Sequence, residues 1–411
     1  MKITTKARIV LMVIPLLLVL AVAQPAIAAD ELRVLDSAAQ VDFPAGITFS
    51  LSAESETDVT DIRLNYTVER MSHAPVVSEV YLEFPPDTRV ATEWYWDMRK
   101  TGGLPPGTEV DYWWTVTDAG GTEIETKPVT IHIEDNRYEW QSLTRDKISL
   151  YWYEGDDAFA GKLMTAAQQA LDRVSRDTGV ELEKTASIYI YANSRDLRGS
   201  MIFPQEWTGG VAFTRYGTVA IGIEPDNLEW GSRVIAHEFT HLVIHQMIFN
   251  PYGDLPTWLD EGLAMYAEGE MQPYMMSLLK ESIEEDILIS VRSLSSPFSA
   301  YAGESMLAYA QSHSLVQFLI ERYGQEEMYE LLCIFKQGSQ YDDALFQVYG
   351  FDMDGLDSQW QVYLQETVVS EPEIGMRIHG WTLFLIIVGT ILLVVVLVLL
   401  WYFGRLGTYR S

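Results

Sequence analysis

Apolar residues along this 411-residue chain recur with two different periods, and the change between them divides it. From Asp30 to about Asp135 they alternate. Ile62-Arg63-Leu64-Asn65-Tyr66-Thr67-Val68 puts every second side chain on one face, which is the period of a half-buried strand. Glu109-Val110-Asp111-Tyr112-Trp113-Trp114-Thr115-Val116 alternates likewise. It is closed by Asp118-Ala119-Gly120-Gly121 and answered by Thr122 to Val129, so a hairpin is predicted. With the Pro105-Pro106-Gly107 turn before it, the strand spacing predicts an all-β sandwich domain over residues 30–135.

Beyond Asp135 the period changes. Ile148 to Tyr153 reads as a strand, and Phe159 to Thr178 as a helix with Leu163, Ala167, Ala170, Leu171 and Val174 on one face. Ser187 to Tyr191 is a further strand. Gly210 to Phe213 and Thr218 to Ile223 are extended runs on either side of a turn at Tyr216-Gly217. Helical patterns dominate from Ser232 onward, and no internal repeat is present. A mixed sheet followed by a helical half predicts an α+β domain over residues 136–366.

The two ends carry a different signal. Lys2, Lys6 and Arg8 precede an apolar run from Ile9 to Ala23, and small residues follow at Ala26 and Ala28, so residues 1–28 are expected to be a signal peptide. Trp381 to Phe403 is 23 residues without a charge, long enough at ~1.5 Å per residue to span a ~30 Å hydrocarbon core. Arg405 and Arg410 follow this span, and Glu371 and Glu373 precede it. The expectation is a single C-terminal transmembrane helix over 381–403, a linker over 367–380 and a cytoplasmic tail over 404–411. The folded domains of such a single-pass type I protein lie outside the membrane.

Composition narrows the partners. A formal net charge of −30 disfavours nucleic acid, because phosphate binding needs lysine and arginine. An apolar fraction of 48%, with 12 Trp and 22 Tyr, argues for packed cores rather than disorder. The one cysteine, Cys333, excludes an intrachain disulfide, and Leu331-Leu332-Cys333-Ile334-Phe335 reads as an apolar helix face. Asn65-Tyr66-Thr67 satisfies the N-glycosylation sequon in a eukaryotic host.

Candidate chemistry gathers on the segment Ser232 to Phe249, which has helical periodicity. His237 and His241, four residues apart, project from one face about 6 Å apart along the axis, so that both imidazoles reach one Zn²⁺ at ~2.0–2.1 Å. Glu238 stands beside the first histidine, where its carboxylate reaches a water held by the metal. The pentapeptide alone leaves a surface helix with two histidines equally open. Twenty residues after His241, Pro256 and Thr257 start a second helix that carries Glu261, and this carboxylate completes a His₂Glu set with one position left for water. The bland alternative, an acid favoured by the helix dipole, suits the neighbouring Asp260 better. His245 continues the row, but it lies ~12 Å along the axis from His237 and ~80° around it, too far to share the metal, and is assigned to packing or the surface. Glu268, seven residues past Glu261, is either an acceptor for a ligand histidine or a solvated glutamate.

Trp258-Leu259-Asp260-Glu261-Gly262-Leu263-Ala264, at this distance from His237-Glu238-Phe239-Thr240-His241, resembles the Trp-Leu-Asn-Glu-Gly-Phe-Ala motif of the gluzincins, the zinc aminopeptidases and peptidase MA-like domains among them. The resemblance covers roughly residues 140 to 365. It implies a zincin-like metallopeptidase domain, with His237, His241 and Glu261 as ligands of one Zn²⁺ and Glu238 as general base. It also implies a tyrosine that donates to the oxyanion. Tyr309 is the counterpart, although the Glu-Lys-Gly that follows this tyrosine in the aminopeptidases is absent; Tyr301 and then His313 are the fallbacks. Pro106 to Asp118 resembles a hairpin of fibronectin type III or immunoglobulin-like modules, which implies a spacer or recognition domain.

The chain also departs from the aminopeptidase pattern. No Gly-Ala-Met-Glu-Asn strand precedes His237; Trp207-Thr208-Gly209-Gly210-Val211-Ala212-Phe213 stands there instead. Gly209, Gly210, Val211 and Ala212 form an edge strand suited to pairing with an extended peptide, with no anion for a free amine, so endopeptidase and aminopeptidase action both stay open. The expected partner is a peptide or protein substrate. The rival reading is a zinc-containing surface module that binds without hydrolysing.

Overall fold

The computed structural model describes residues 31–205, 208–298 and 302–369. The signal segment 1–28, the span 381–403, Trp207 and Tyr301 lie outside the described residues. No helix among the described residues is long and apolar enough to cross a membrane. The chain divides into two compact units, the first comprising residues up to Arg137 with Ser200–Pro204, the second Tyr138–Gly199 with the residues from Gln205 onward.

The first unit is all β. Its strands are β1 (Arg33–Asp42), β2 (Gly46–Val68), β3 (Ser78–Tyr81), β4 (Asp87–Asp97), β5 (Glu109–Asp118), β6 (Glu123–Glu125) and β7 (Val129–His132). The long β2 organises them, because it changes partners along its length. Residues 46–54 pair with β1 and β4; residues 59–68 pair with β5, and 63–66 with β3, all antiparallel. The change is made possible by a bulge between Val59 and Asp61. One extra residue reverses the facing of a strand. The buried set accordingly passes from Ile47, Phe49, Leu51 and Ala53 to Ile62 and Leu64, where it meets Val110, Tyr112, Trp114 and Val116 of β5. The hairpin predicted after β5 is present, with β5 pairing β6 and β7. Its turn is pinned by Asp118, whose carboxylate accepts from Ser55 Oγ at 2.7 Å and from the Thr122 N–H at 2.9 Å. Asn65 is buried and its amide donates to Thr115 Oγ1 at 3.1 Å, so the sequon is closed off in the folded unit.

The second unit sets helices against a five-stranded sheet. In chain order it contains β8 (Gln141–Arg145), β9 (Ile148–Trp152), α1 (Asp157–Thr178), β10 (Ala186–Tyr191), α2 (Ser194–Arg198), β11 (Gly210–Phe213), β12 (Thr218–Gly222) and α3 (Leu228–Ile248). Then follow α4 (Thr257–Glu268), α5 (Pro273–Glu284), α6 (Val291–Leu294), α7 (Ala302–Tyr323), α8 (Gln325–Lys336), α9 (Tyr341–Tyr349) and α10 (Met353–Leu364). The sheet order is β11-β12-β10-β9-β8, with β9, β10 and β12 parallel and both edges antiparallel. Helix α1 is the crossover that joins β9 to its parallel neighbour β10. It starts where Asp156 accepts from the Phe159 N–H and ends at Gly179, whose φ of 75° supplies the left-handed cap.

One core joins these layers. Leu150, Ile188, Ile190, Val219 and Ile221 of the central strands meet Leu163, Met164 and Ala167 of α1 and Ile235, Phe239, Leu242 and Val243 of α3, with Trp258, Leu315 and Trp360 continuing it through the later helices. From Ile235 to Ile248 helix α3 is buried except at His237, Glu238, His241 and His245, which are half-buried. Leu150, 0% exposed at the centre of the sheet, has no room to be shortened without leaving a void. Leu150→Ala is expected to destabilise the second unit by about 2–5 kcal/mol. Urea unfolding followed by near-UV circular dichroism measures it, and an unchanged midpoint would remove Leu150 from the core.

Candidate metal centre

Arg233, His237, His241 and His245 stand at four-residue intervals on α3, so their side chains form one row along the helix. Helix α4 lies across that row. It begins at Thr257 because Pro256 cannot donate within a helix and holds an extended φ/ψ before it (φ −62°, ψ 140°). Asp260, Glu261 and Glu268 of α4 all reach the α3 row.

Three atoms converge. His237 Nε2 and His241 Nε2 are 3.3 Å apart, and Glu261 Oε2 lies 3.3 Å from the first and 3.5 Å from the second. A tetrahedral ion with bonds of ~2.0–2.1 Å separates its ligand atoms by about 3.3–3.4 Å. Glu261 Oε2 is buried and has no hydrogen-bond partner. Three acceptor atoms this close repel one another unless positive charge lies among them, so the residues fit a divalent cation.

The other nitrogen of each ring is also fixed. His237 Nδ1 lies 2.9 Å from Glu268 Oε1, and His241 Nδ1 lies 2.9 Å from Asp260 Oδ1. A carboxylate only accepts, so each Nδ1 carries a proton and each Nε2 is directed into the triangle. The second oxygens of the carboxylates are held as well. Arg233 Nε donates to Glu268 Oε2 at 3.1 Å, with Nη2 forming an ion pair 3.0 Å from the same oxygen, and His245 Nε2 donates to Asp260 Oδ2 at 3.1 Å.

These contacts set the charge states. Burial works against a charge on His237, but Glu261 and Glu268 outweigh it and raise its pKa to about 9. His241 is likewise raised well above the usual imidazole value by Asp260 and Glu261 against the effect of burial. Burial would raise Glu261, yet the two histidines bring it down to about 2. Glu238 behaves differently: burial pushes its carboxyl above the ordinary value, and the nearby histidines only partly oppose this.

Glu238 lies against β11. The backbone N–H of Ala212 donates to its carboxylate, and a Cβ at Gly210 would fall 2.8 Å from its Cγ and 2.9 Å from Oε1. Glycine is therefore required at 210 for the carboxylate to occupy this position. Residues Gly210 to Phe213 pair on one side with β12, and β11 forms one edge of the sheet. Gly209, Gly210, Val211 and Ala212 thus lie beside Glu238, while Trp207 is outside the described residues.

Tyr309 comes from α7. Its ring lies edge-on to His237 with centroids 6.4 Å apart, and it packs against the cluster of Met265, Met275 and Ala310. Burial raises the phenol well above its ordinary pKa, and Glu261, Glu238 and Glu268 add to the effect, so the hydroxyl keeps its proton. Close approach of α4 and α7 makes this position possible: a Cβ at Gly262 would meet the Ser312 carbonyl oxygen at 2.5 Å. His313 is buried with its Nε2 on the Gly269 carbonyl at 3.2 Å, engaged with the end of α4. Tyr301 lies outside the described residues.

The structure thus brings His237, His241, Glu261, Glu238, Glu268 and Tyr309 to one place, with the 209–212 strand alongside. Two assignments need correction. Asp260, assigned to the helix dipole, instead backs His241. His245, assigned to packing or the surface, instead donates to Asp260. Arg233 was not anticipated. The signal for it was its place one turn before His237 in the same row, but only the position of α4 shows what that row meets.

Residues 166–366, most of them in the second unit, match the family described as the Peptidase MA superfamily, which supports a gluzincin-like domain there. No curated protein matches the chain. Among solved structures, the chain is similar to an aminopeptidase A of Legionella pneumophila at 11% identity, covering 80% of this chain and 50% of that one, with a TM-score of 0.36. An aminopeptidase N family protein of Idiomarina loihiensis is 12% identical over 77% of this chain and 74% of that one, also with a TM-score of 0.36. OgpA of Akkermansia muciniphila, solved with an O-glycopeptide, is 18% identical over 25% of this chain, with a TM-score of 0.19; the match spans 29% of the OgpA chain.

The charge states have a measurable consequence. Protons compete with a metal for the imidazoles, and His237 keeps its proton up to about pH 9 in the metal-free protein. Uptake of a divalent transition-metal ion at pH 7 is expected to release about one proton or more, and to tighten as pH rises toward 9. Calorimetric titration in two buffers of different ionisation enthalpy measures this, and uptake without proton release would contradict the assignment.

Proposed function

We propose that the chain is a zinc-dependent peptidase in which His237, His241 and Glu261 hold one Zn²⁺ and Glu238 is the general base. The observation that carries this reading is the triangle of two Nε2 atoms and the unpartnered Glu261 Oε2, beside a half-buried Glu238 and a protonated Tyr309. Two nitrogens and one carboxylate oxygen are a donor set suited to zinc, and a bound Zn²⁺ would supply Lewis-acid polarisation of a peptide carbonyl and acidify a water.

The remaining chemistry falls to the chain. Glu238, with its pKa raised by burial, takes a proton from the attacking water and passes it to the departing amine. Tyr309 donates its hydroxyl proton in a hydrogen bond to the carbonyl oxygen as negative charge develops there. The edge strand 209–212 pairs with an extended substrate, so that the scissile bond is held by main-chain contacts beside Glu238. With no Gly-Ala-Met-Glu-Asn sequence before His237, no such glutamate is available for a substrate's free amine, and both internal and terminal cleavage belong to the proposal.

The proposed setting is extracytoplasmic. It rests on the signal-peptide pattern of residues 1–28 and the uncharged run 381–403, which would tether the peptidase to a membrane with the tail 404–411 in the cytoplasm. The proposed partners are a peptide or protein substrate and the membrane, with nucleic acid disfavoured by the net charge of −30.

In detergent-solubilised full-length protein, Glu238→Gln is expected to retain one zinc per chain and to lose about 10²–10⁴-fold in hydrolysis of a peptide library read by mass spectrometry. Tyr309→Phe is expected to lower kcat by about 10²–10³-fold with zinc content unchanged. Undiminished cleavage by the zinc-loaded Glu238→Gln protein would overturn the mechanism.

A further inference from the structure

The row on α3 extends one residue beyond the metal pair at each end. Arg233 lies one turn before His237 and His245 one turn after His241. Helix α4 meets each half of this row with one carboxylate. Glu268 gives Oε1 to His237 Nδ1 and Oε2 to Arg233; Asp260 gives Oδ1 to His241 Nδ1 and Oδ2 to His245 Nε2. The two halves are built alike: an inner imidazole directed at the metal position, a carboxylate behind it, and an outer donor that takes the carboxylate's second oxygen. The four donor–acceptor distances lie between 2.9 and 3.1 Å. The side chains are largely covered, from 12% exposed for Glu268 to 24% for Arg233 and Asp260.

We propose that Arg233 and His245 are positioning residues, which fix the rotation of Glu268 and Asp260 and thereby the tautomer and ring angle of His237 and His241. The proposal rests on the metal reading of the site. A carboxylate held at one oxygen can still turn about its Cγ–Cβ or Cδ–Cγ bond, and that motion swings the imidazole it supports. A donor on the second oxygen removes the freedom, so both Nε2 atoms are aimed at one point before any ion enters. Partners behind metal-binding histidines typically change affinity by 10–100-fold when removed. Here the effect passes through one further group.

Arg233 and His245 act from different chemistry on the same geometry. The guanidinium brings two nitrogens to one oxygen of Glu268, Nε as a hydrogen-bond donor and Nη2 as an ion-pair contact. The imidazole offers Asp260 one N–H along the helix row. His245 therefore belongs to the site although it lies too far from His237 to share one metal with it.

The test is zinc affinity of the full-length protein, measured by competition with a chromophoric chelator, together with the visible spectrum of the Co²⁺-loaded form. His245→Leu is expected to weaken zinc binding about 10-fold and to alter the Co²⁺ bands. His245→Gln, which restores an N–H donor, is expected to stay within about 3-fold of the native protein with native bands. Circular dichroism and the thermal midpoint of the metal-free variants establish folding. Should His245→Leu not fold, Arg233→Leu against Arg233→Lys applies the same comparison to His237. Native affinity and native bands in folded His245→Leu and Arg233→Leu would overturn the proposal while leaving the metal reading intact. A native protein that binds no zinc would remove the metal reading and this proposal with it. Two ions per native chain, one of them lost in His245→Leu, would make His245 a ligand and overturn its positioning role.

Discussion

Mutual repulsion among three acceptor atoms is the constraint on which the second unit turns. His237 Nε2, His241 Nε2 and Glu261 Oε2 lie 3.3–3.5 Å apart with one of them buried and unpartnered. An arrangement of this kind is unfavourable unless a cation or protons share the space. The surroundings answer that requirement in the metal-free protein. Glu268 and Asp260 hold each imidazole from behind, and the added negative charge keeps the rings protonated at neutral pH. The same groups that stabilise protons on the rings would direct their lone pairs at a metal, so that protons and a metal would compete for one geometry.

Rigid packing sustains the repulsive cluster. Helix α3 is held by the sheet and α1 through Ile235, Phe239, Leu242 and Val243, so the residues of its one half-buried stripe have little freedom to separate. Helices α4 and α7 approach until only glycine fits at 262. The carboxylate of Glu238 occupies the place that a side chain at 210 would take. At both positions the absent Cβ lets a reactive side chain approach its target, Tyr309 in one case and Glu238 in the other.

The first unit shows what alternation can and cannot convey. Ile62 to Val68 and the hairpin after Glu109 are readable from period and turn residues because each lies within one stretch of chain. The 23-residue extent of β2 is not. Its two halves bury opposite parities, and the bulge at Val59 to Asp61 that reconciles them is visible only once the partner strands are in register. Asn65 makes the same point chemically. Its sequon is a local pattern, while its burial against Thr115 depends on a strand fifty residues away.

In the second unit, four-residue spacing placed His237 and His241 on one helix face, and Pro256-Thr257 placed Glu261 near the start of the next helix. Those are consequences of helix geometry, which one stretch of chain determines by itself. The same geometry put His245 too far along the axis from His237 to share one metal with it. What the neighbouring helix does with the remaining groups is a different kind of information. Whether Asp260 faces water or His241, whether Arg233 finds Glu268, and whether Tyr309 rather than another of the chain's 22 tyrosines borders the site all depend on how α4 and α7 cross α3. The sequence by itself determined the donors and their order along each helix, because a helix repeats with a fixed rise and turn. Only the tertiary structure decided which carboxylate stands behind which histidine, because that depends on side-chain packing between segments that no local period relates.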